Sequence, residues 1–351
     1  MRLLKDKGYK QVSLSVQKAN YAVKMYRKAG FEAVDEKEEE YIMAWPIAGE
    51  RLMVIQEIDK VKFRLRTPRD LTWIKKYGTV FSVIDATGSG CICFGVEDEN
   101  DRYFIKVAGV DTVDAEISPE ESVEILKNAA GLYQTLKHPS LAELIEHYPV
   151  SDYYAVVFRW AEGGCLFDYW NFEKYGRNPG LTSPAERFKG LPSERKLSAV
   201  ECLFSFLETV AANQYVAVDF YDGSLIYDFE TDKMTICDID LFRKQPARND
   251  MGEAYWGTKR LKAPEEYILG AVIDETTNVF TLGALIFDFF GKYTREEIER
   301  RYTENRFLPC DAENWTLDRD LYISVRKAVE PDRTKRYKTI SDFRRAFIRQ
   351  E

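Results

Sequence analysis

The sequence predicts an α+β protein in which strands precede most of the helices. Strand-like runs dominate from about residue 67 to about 110, and the pattern after Pro192 is mainly helical. Residues 1–48 read as a separate, small α/β segment. A β-rich part followed by a helical part is one of the stable layer arrangements, with a cleft expected between them.

Residues 9–16 alternate as a strand, and 20–29 read as a short helix capped by Asn20 and stopped by Gly30. A charged turn at 35–40 leads into a strand at 41–45. Pro46 and Gly49 mark a boundary, and the mixed stretch after them is a strand pair or a linker, assigned to a linker over 49–66. The domain 67–351 opens with strands at 80–84, 91–96 and 103–107. A helix follows at 119–137, then strands at 141–147 and 153–160. Short strands at 225–227 and 234–237 interrupt the helical remainder.

Composition narrows the class. With 45% hydrophobic residues in 351, the chain can bury a sizeable core. No run approaches the roughly 18 apolar residues that a membrane span needs. The start Met1-Arg2-Leu3-Leu4-Lys5 turns to charge too soon for a signal peptide, so a cytoplasmic location is expected. Cysteines at 91, 93, 165, 202, 237 and 310 lack zinc-site spacing and read as reduced thiols. A net charge of −8 argues against nucleic acid as a partner. The basic runs at 259–262 and 333–336 read as solvated faces or local ion-pair sites.

Moving a phosphoryl group needs the phosphates held, their charge neutralised by a lysine and a divalent metal, and a carboxylate near the attacking hydroxyl. The chain offers candidates for each, in order. Gly88-Ser89-Gly90 lies between two strand runs, where small residues let backbone amides approach a phosphate; a plain hairpin turn is the other reading. Lys106 stands inside the apolar run Phe104-Ile105-Lys106-Val107, where it either points outward from an edge strand or requires a partner. Glu121, Glu124 and Asn128 share one face of the next helix, and Glu124 is the preferred partner. Asp219, Asp222, Asp228, Asp238 and Asp240 form an acidic group across 217–228 and 234–240. A hairpin there would bring both acidic ends to one side, and such oxygen donors suit a hard cation. Ordinary turn aspartates are the alternative.

From about 67 to 350 these residues resemble the protein-kinase superfamily, in a divergent bacterial Ser/Thr form. The resemblance implies a bilobal fold (β-rich N-lobe, helical C-lobe) with ATP and Mg as cofactors. It implies that Lys106 holds the phosphates near Gly88 and Gly90 with Glu124 beside it. In Phe158-Arg159-Trp160-Ala161-Glu162-Gly163-Gly164, Phe158 and Trp160 would hold adenine. Asp219 would orient or deprotonate the substrate hydroxyl, and Asp238, Ser224 and Asp240 would hold the metal. Trp256-Gly257-Thr258 and Ala263-Pro264-Glu265 resemble the end of an activation segment. Asn278-Val279-Phe280-Thr281-Leu282-Gly283 resembles the helix that anchors the catalytic loop. Arg336, in Pro331-Asp332-Arg333-Thr334-Lys335-Arg336-Tyr337, is expected to pair with Glu265.

The chain also departs from that family. Cys93 sits where a third loop glycine belongs, and no His-Arg precedes Asp219. Tyr221 stands for the usual lysine, Ser224 for the metal-binding asparagine, Asp240 for the glycine of Asp-Phe-Gly, and Asn278 for an anchoring aspartate. Asp240 or Asp222 is expected to supply the oxygen that a serine supplies poorly. Between Asp240 and Tyr255 there is no Ser or Thr, so that segment is expected to work without Ser/Thr phosphorylation there.

Asn20-Tyr21-Ala22 and Tyr26-Arg27-Lys28-Ala29-Gly30-Phe31 resemble the C-terminal half of a GNAT N-acetyltransferase, without the upstream pyrophosphate loop. The segment is read as a remnant or a packing module, whose strand edges favour self-association. The leading expectation is a Ser/Thr protein kinase acting on a protein hydroxyl, with no membrane partner. A small-molecule kinase of the aminoglycoside type and a pseudokinase scaffold are the alternatives. The segment 256–265 weighs against the first, and the trio Lys106, Asp219 and Asp238 against the second.

Overall fold

The computed structural model describes residues 11–18, 22, 23, 26, 31–46, 53–178, 180–304 and 306–348. It is a mixed α+β protein with several small sheets. The chain divides into two compact units, Met1–Glu124 with His147–Val157, and Ile125–Glu146 with Phe158–Glu351.

In the first unit, β1 (Gln11–Gln17), β2 (Glu32–Glu36) and β3 (Glu40–Pro46) pair antiparallel in the order β1-β3-β2. Alternation turns Met43 inward, where it packs with Val16 and Val23. The sequence-predicted helix at 20–29, with Asn20, Tyr21 and Gly30, lies largely outside the described residues.

The stretch read as a linker over 49–66 contains a hairpin, β4 (Val54–Ile58) and β5 (Val61–Leu65). Its turn places Asp59 and Lys60 at φ 51° and 71°, the left-handed pair that suits a tight hairpin. Inward residues Ile58, Phe63 and Leu65 join a core with Ile74, Ile92, Phe94, Ile105 and Val107. Phe63 meets Phe94 edge-on at 5.4 Å. Of the two readings of this stretch, the strand pair is the one observed: period-2 alternation over ten residues, interrupted only by Asp59-Lys60, buries one face.

A five-stranded sheet follows, ordered β6-β7-β8-β10-β9, from β6 (Thr79–Ile84), β7 (Ile92–Glu97), β8 (Arg102–Ala108), β9 (Leu144–Val150) and β10 (Tyr153–Arg159). Helix α1 (Pro119–Thr135) lies between β8 and β9 in the chain.

The second unit holds the remaining helices: α2 (Phe172–Arg177), α3 (Pro184–Lys189), α4 (Ser193–Ala212), α5 (Glu275–Phe290), α6 (Arg295–Thr303), α7 (Arg319–Ala328) and α8 (Ile340–Ile348). Among them run the short strands β11 (Gly164–Cys165), β12 (Tyr215–Val216), β13 (Leu225–Asp228) and β14 (Lys233–Ile236). Helix α5 is buried from Thr276 to Phe290, which makes it the centre of this unit. Asp274 caps it, accepting the Thr276 N–H at 3.0 Å. Helix α3 opens with a Ser183–Glu186 capping box. None of the six cysteines forms a disulfide. Among the described residues no helix is long and apolar enough to cross a membrane.

Candidate functional site

The acidic group centres on a loop and a hairpin in the second unit. β13 pairs antiparallel with β14, Leu225 opposite Ile236, so the chain entering β13 and the chain leaving β14 emerge on the same side. The Cys237 N–H donates to the Ser224 carbonyl at 2.9 Å, which sets Ser224 and Asp238 beside one another. The hairpin inferred from the spacing of the two acidic runs is present. Asp219 and Asp238 both adopt the left-handed backbone, at φ 58° and 54°. That conformation is uncommon outside glycine, and aspartate is among the side chains that tolerate it best.

The loop is fixed at its start by a buried amide. Asn278 on α5 accepts the Ala217 N–H and donates to the Ala217 carbonyl, each at 2.8 Å. Asparagine offers both a donor and an acceptor here, which aspartate could not. Asp219 is half-buried. Burial, and then the charge of Asp238, push its carboxyl up to about 7, against the pull of Lys262. Asp219 shares a small pocket with Gly257, Thr258, Lys262, Glu266 and Thr281. Burial pushes the Glu266 carboxyl up to about 8.

Ser224 is fully buried, and its hydroxyl has no hydrogen-bond partner among the described residues. A buried polar atom left in that state is costly, and a bound water, an ion or a ligand would complete it. Asp238 is exposed and Asp240 half-buried. Asp222, one of the two residues expected to supply a further metal oxygen, is instead paired with Arg260. Burial pushes its carboxyl up to about 6 even against that cation.

Arg260 also donates to Asp288 at 2.7 Å, and Arg301 reaches the other oxygen of Asp288 at 2.5 Å. Burial opposes ionisation of Asp288, but Arg301 and Arg260 outweigh it and hold its carboxyl below the usual range. Of the two readings of the run 259–262, the local ion-pair site is the one observed and the solvated face is not, since Arg260 and Lys262 turn inward and Arg260 meets Asp222 and Asp288. Asp288 is the available signal, the one charge in the largely apolar run 279–290, and it must find a cation.

Four of the predicted residues lie in the first unit. Lys106 is half-buried on β8 opposite Cys93, between the fully buried Ile105 and Val107. Gly90 sits at φ 70°, where a Cβ would come within 3.3 Å of Ser122, and the Gly88 carbonyl accepts the Glu116 N–H at 2.9 Å. These contacts account for the glycines as a tight turn packed on 115–122. Glu124 stands on the exposed face of α1, with Glu121 and Asn128, while Ser122 and Leu126 face inward. In the second unit Phe158 is buried against Tyr133, 4.7 Å between ring centres, and Trp160 is half-buried just beyond β10.

Among the described residues no three His, Cys, Asp or Glu side chains converge as a metal cage. No family model matches the chain, and no curated protein matches it.

Proposed function

We propose that the chain is an ATP- and magnesium-dependent phosphotransferase of the protein-kinase type, acting on a Ser or Thr hydroxyl of a protein. The observation that carries this reading is the backbone bond from Cys237 to Ser224, which brings Asp238 and the buried Ser224 to one end of the β13–β14 hairpin, the end that the Asp219 loop enters. Magnesium keeps few protein ligands and completes its shell with substrate phosphates and water. One carboxylate and one hydroxyl fit that demand better than they fit a closed, all-protein cage. When bound, the ion would neutralise charge on the transferring phosphates.

In this reading Asp238 and Ser224 hold the metal. The half-buried Asp240, two residues on, offers a further carboxylate oxygen. Asp219 accepts the proton of the attacking hydroxyl. Ala217 before it and Asp222 after it are both pinned, which fixes the loop that carries Asp219. Lys106 binds the phosphates, and Phe158 and Trp160 lie in the stretch assigned to adenine by resemblance.

Calorimetry of nucleotide binding tests the metal assignment. Magnesium-dependent ATP binding is expected in the unaltered chain, weakened in Ser224→Ala and lost in Asp238→Ala. Binding that is indifferent to magnesium and to Asp238→Ala would remove the basis of the proposal.

A further inference from the structure

Arg260 is 7% exposed, and a guanidinium so deep persists only where fixed acceptors meet it. Three side chains do. One Nη pairs with Asp222, the other donates to Asp288 at 2.7 Å, and the guanidinium lies over the Phe167 ring at 4.9 Å. Phe167 in turn meets Tyr221 edge-on at 6.0 Å. Two of these contacts therefore converge on residues 221 and 222, just after Asp219. The third, Asp288, is itself held from its other side by Arg301, so Arg260 hangs from a fixed point on α5.

The loop needs such a hold. Asp219 sits at φ 58°, an uncommon conformation outside glycine that its surroundings must help to hold. Asn278 secures the loop before Asp219, through Ala217, and nothing in that contact constrains the residues after it. Arg260 secures that other end. Lys262, two residues along, donates to the Tyr255 carbonyl at 2.6 Å and so ties down the stretch that carries Arg260.

We infer that Arg260 is a positioning residue that holds the 219–224 loop in its working shape, from within the chain and without covalent modification. This rests on the phosphotransfer reading. It supplies the device that the sequence otherwise lacks: Ala217-Val218 offers no cation before Asp219, and residues 241–254 offer no Ser or Thr to carry a phosphate. The charge that orders this loop is built into the run 259–262.

The test uses the full chain and the variants Arg260→Met, Arg260→Lys and the double variant Arg260→Met/Asp222→Asn. Amide exchange is followed by peptide, beside kcat and KM for ATP. In Arg260→Met, exchange over 217–224 is expected to speed up at least about tenfold, with α4 and α8 unchanged. The kcat is expected to fall about a hundredfold at little-changed KM for ATP, as misplacement of a reacting group predicts. Arg260→Lys keeps the charge without the planar fork and should recover part of both. The double variant leaves no lone buried carboxylate at 222, so it folds well yet keeps the fast exchange and low kcat. Unchanged exchange over 217–224 in a folded variant would overturn the inference, and so would full kcat in the double variant. Should the unaltered chain transfer no phosphate, the phosphotransfer reading falls, and the exchange measurement still decides whether Arg260 orders the loop.

Discussion

The Arg336 guanidinium grips both oxygens of the Glu265 carboxylate, at 2.7 and 3.0 Å, with both side chains buried. Its remaining donors reach the Glu330 carbonyl at 2.6 Å and the Pro331 carbonyl at 3.1 Å, while Thr277 donates to Glu265 at 2.9 Å. Every polar atom of the pair is thus engaged. Arg336→Met would strand a buried carboxylate and is expected to cost about 3–5 kcal/mol in chemical denaturation. Arg336→Lys should recover only part of that, because an ammonium cannot make the two-pronged contact.

That pair is legible in the amino-acid sequence, because Glu265 and Arg336 each stand in a recognisable local motif. So is the hairpin joining Ser224 to Asp238, since two acidic runs flank two short apolar ones. The β4–β5 hairpin is only half legible. Its alternation is plain, but Asp59-Lys60 is an unusual turn pair and masks it. The clamp on Asp222 is barely legible: Asp288, in a largely apolar run, signals that a cation is needed but not which one. It joins residues 222, 260 and 288, and no local pattern says that a basic run will turn inward. For Glu124 the limit is different: helical spacing groups it with Glu121 and Asn128, yet cannot say that this shared face is the exposed one.

Asn278 is expected to matter for both stability and turnover. Asn278→Ala leaves the Ala217 N–H and carbonyl buried without partners, at about 1–3 kcal/mol for each group. Asn278→Asp keeps the acceptor and loses the donor, so it should fall between the two. Denaturant midpoints for the three proteins check the order.

Gly163 cannot carry a side chain. At φ 106° its Cβ would come within 2.2 Å of the Tyr227 carbonyl oxygen, a backbone atom of β13. Gly163→Ala should therefore push β11 away from β13 and lower stability by about 1–3 kcal/mol, more than a glycine-to-alanine change elsewhere in a loop. Thermal unfolding measures this, with Gly180→Ala as the control, since a Cβ there meets nothing within 4 Å.

Stability should decline on the acid side through His138. Burial lowers its pKa below 6.5, and the ring stays neutral beside Ser205 at 3.1 Å. The unfolded chain takes up a proton first as pH falls, so the contribution of the neutral ring is present above about 6.5 and is lost as pH drops below it. Unfolding free energies measured from pH 7.5 down to about 5 should show a shallower fall in His138→Gln than in the unaltered protein. Equal slopes would exclude His138 as the titrating group.

Phosphate transfer from ATP is read most directly as labelled γ-phosphate incorporated into a generic protein substrate with magnesium. The unaltered chain, Asp219→Asn and Asp238→Ala would be compared at matched fold stability. Transfer by the unaltered chain is expected, abolished in Asp238→Ala and reduced at least about a thousandfold in Asp219→Asn. Transfer that persists undiminished in Asp238→Ala, or its absence from the unaltered chain with every substrate, would refute the assignment of this chain as a phosphotransferase.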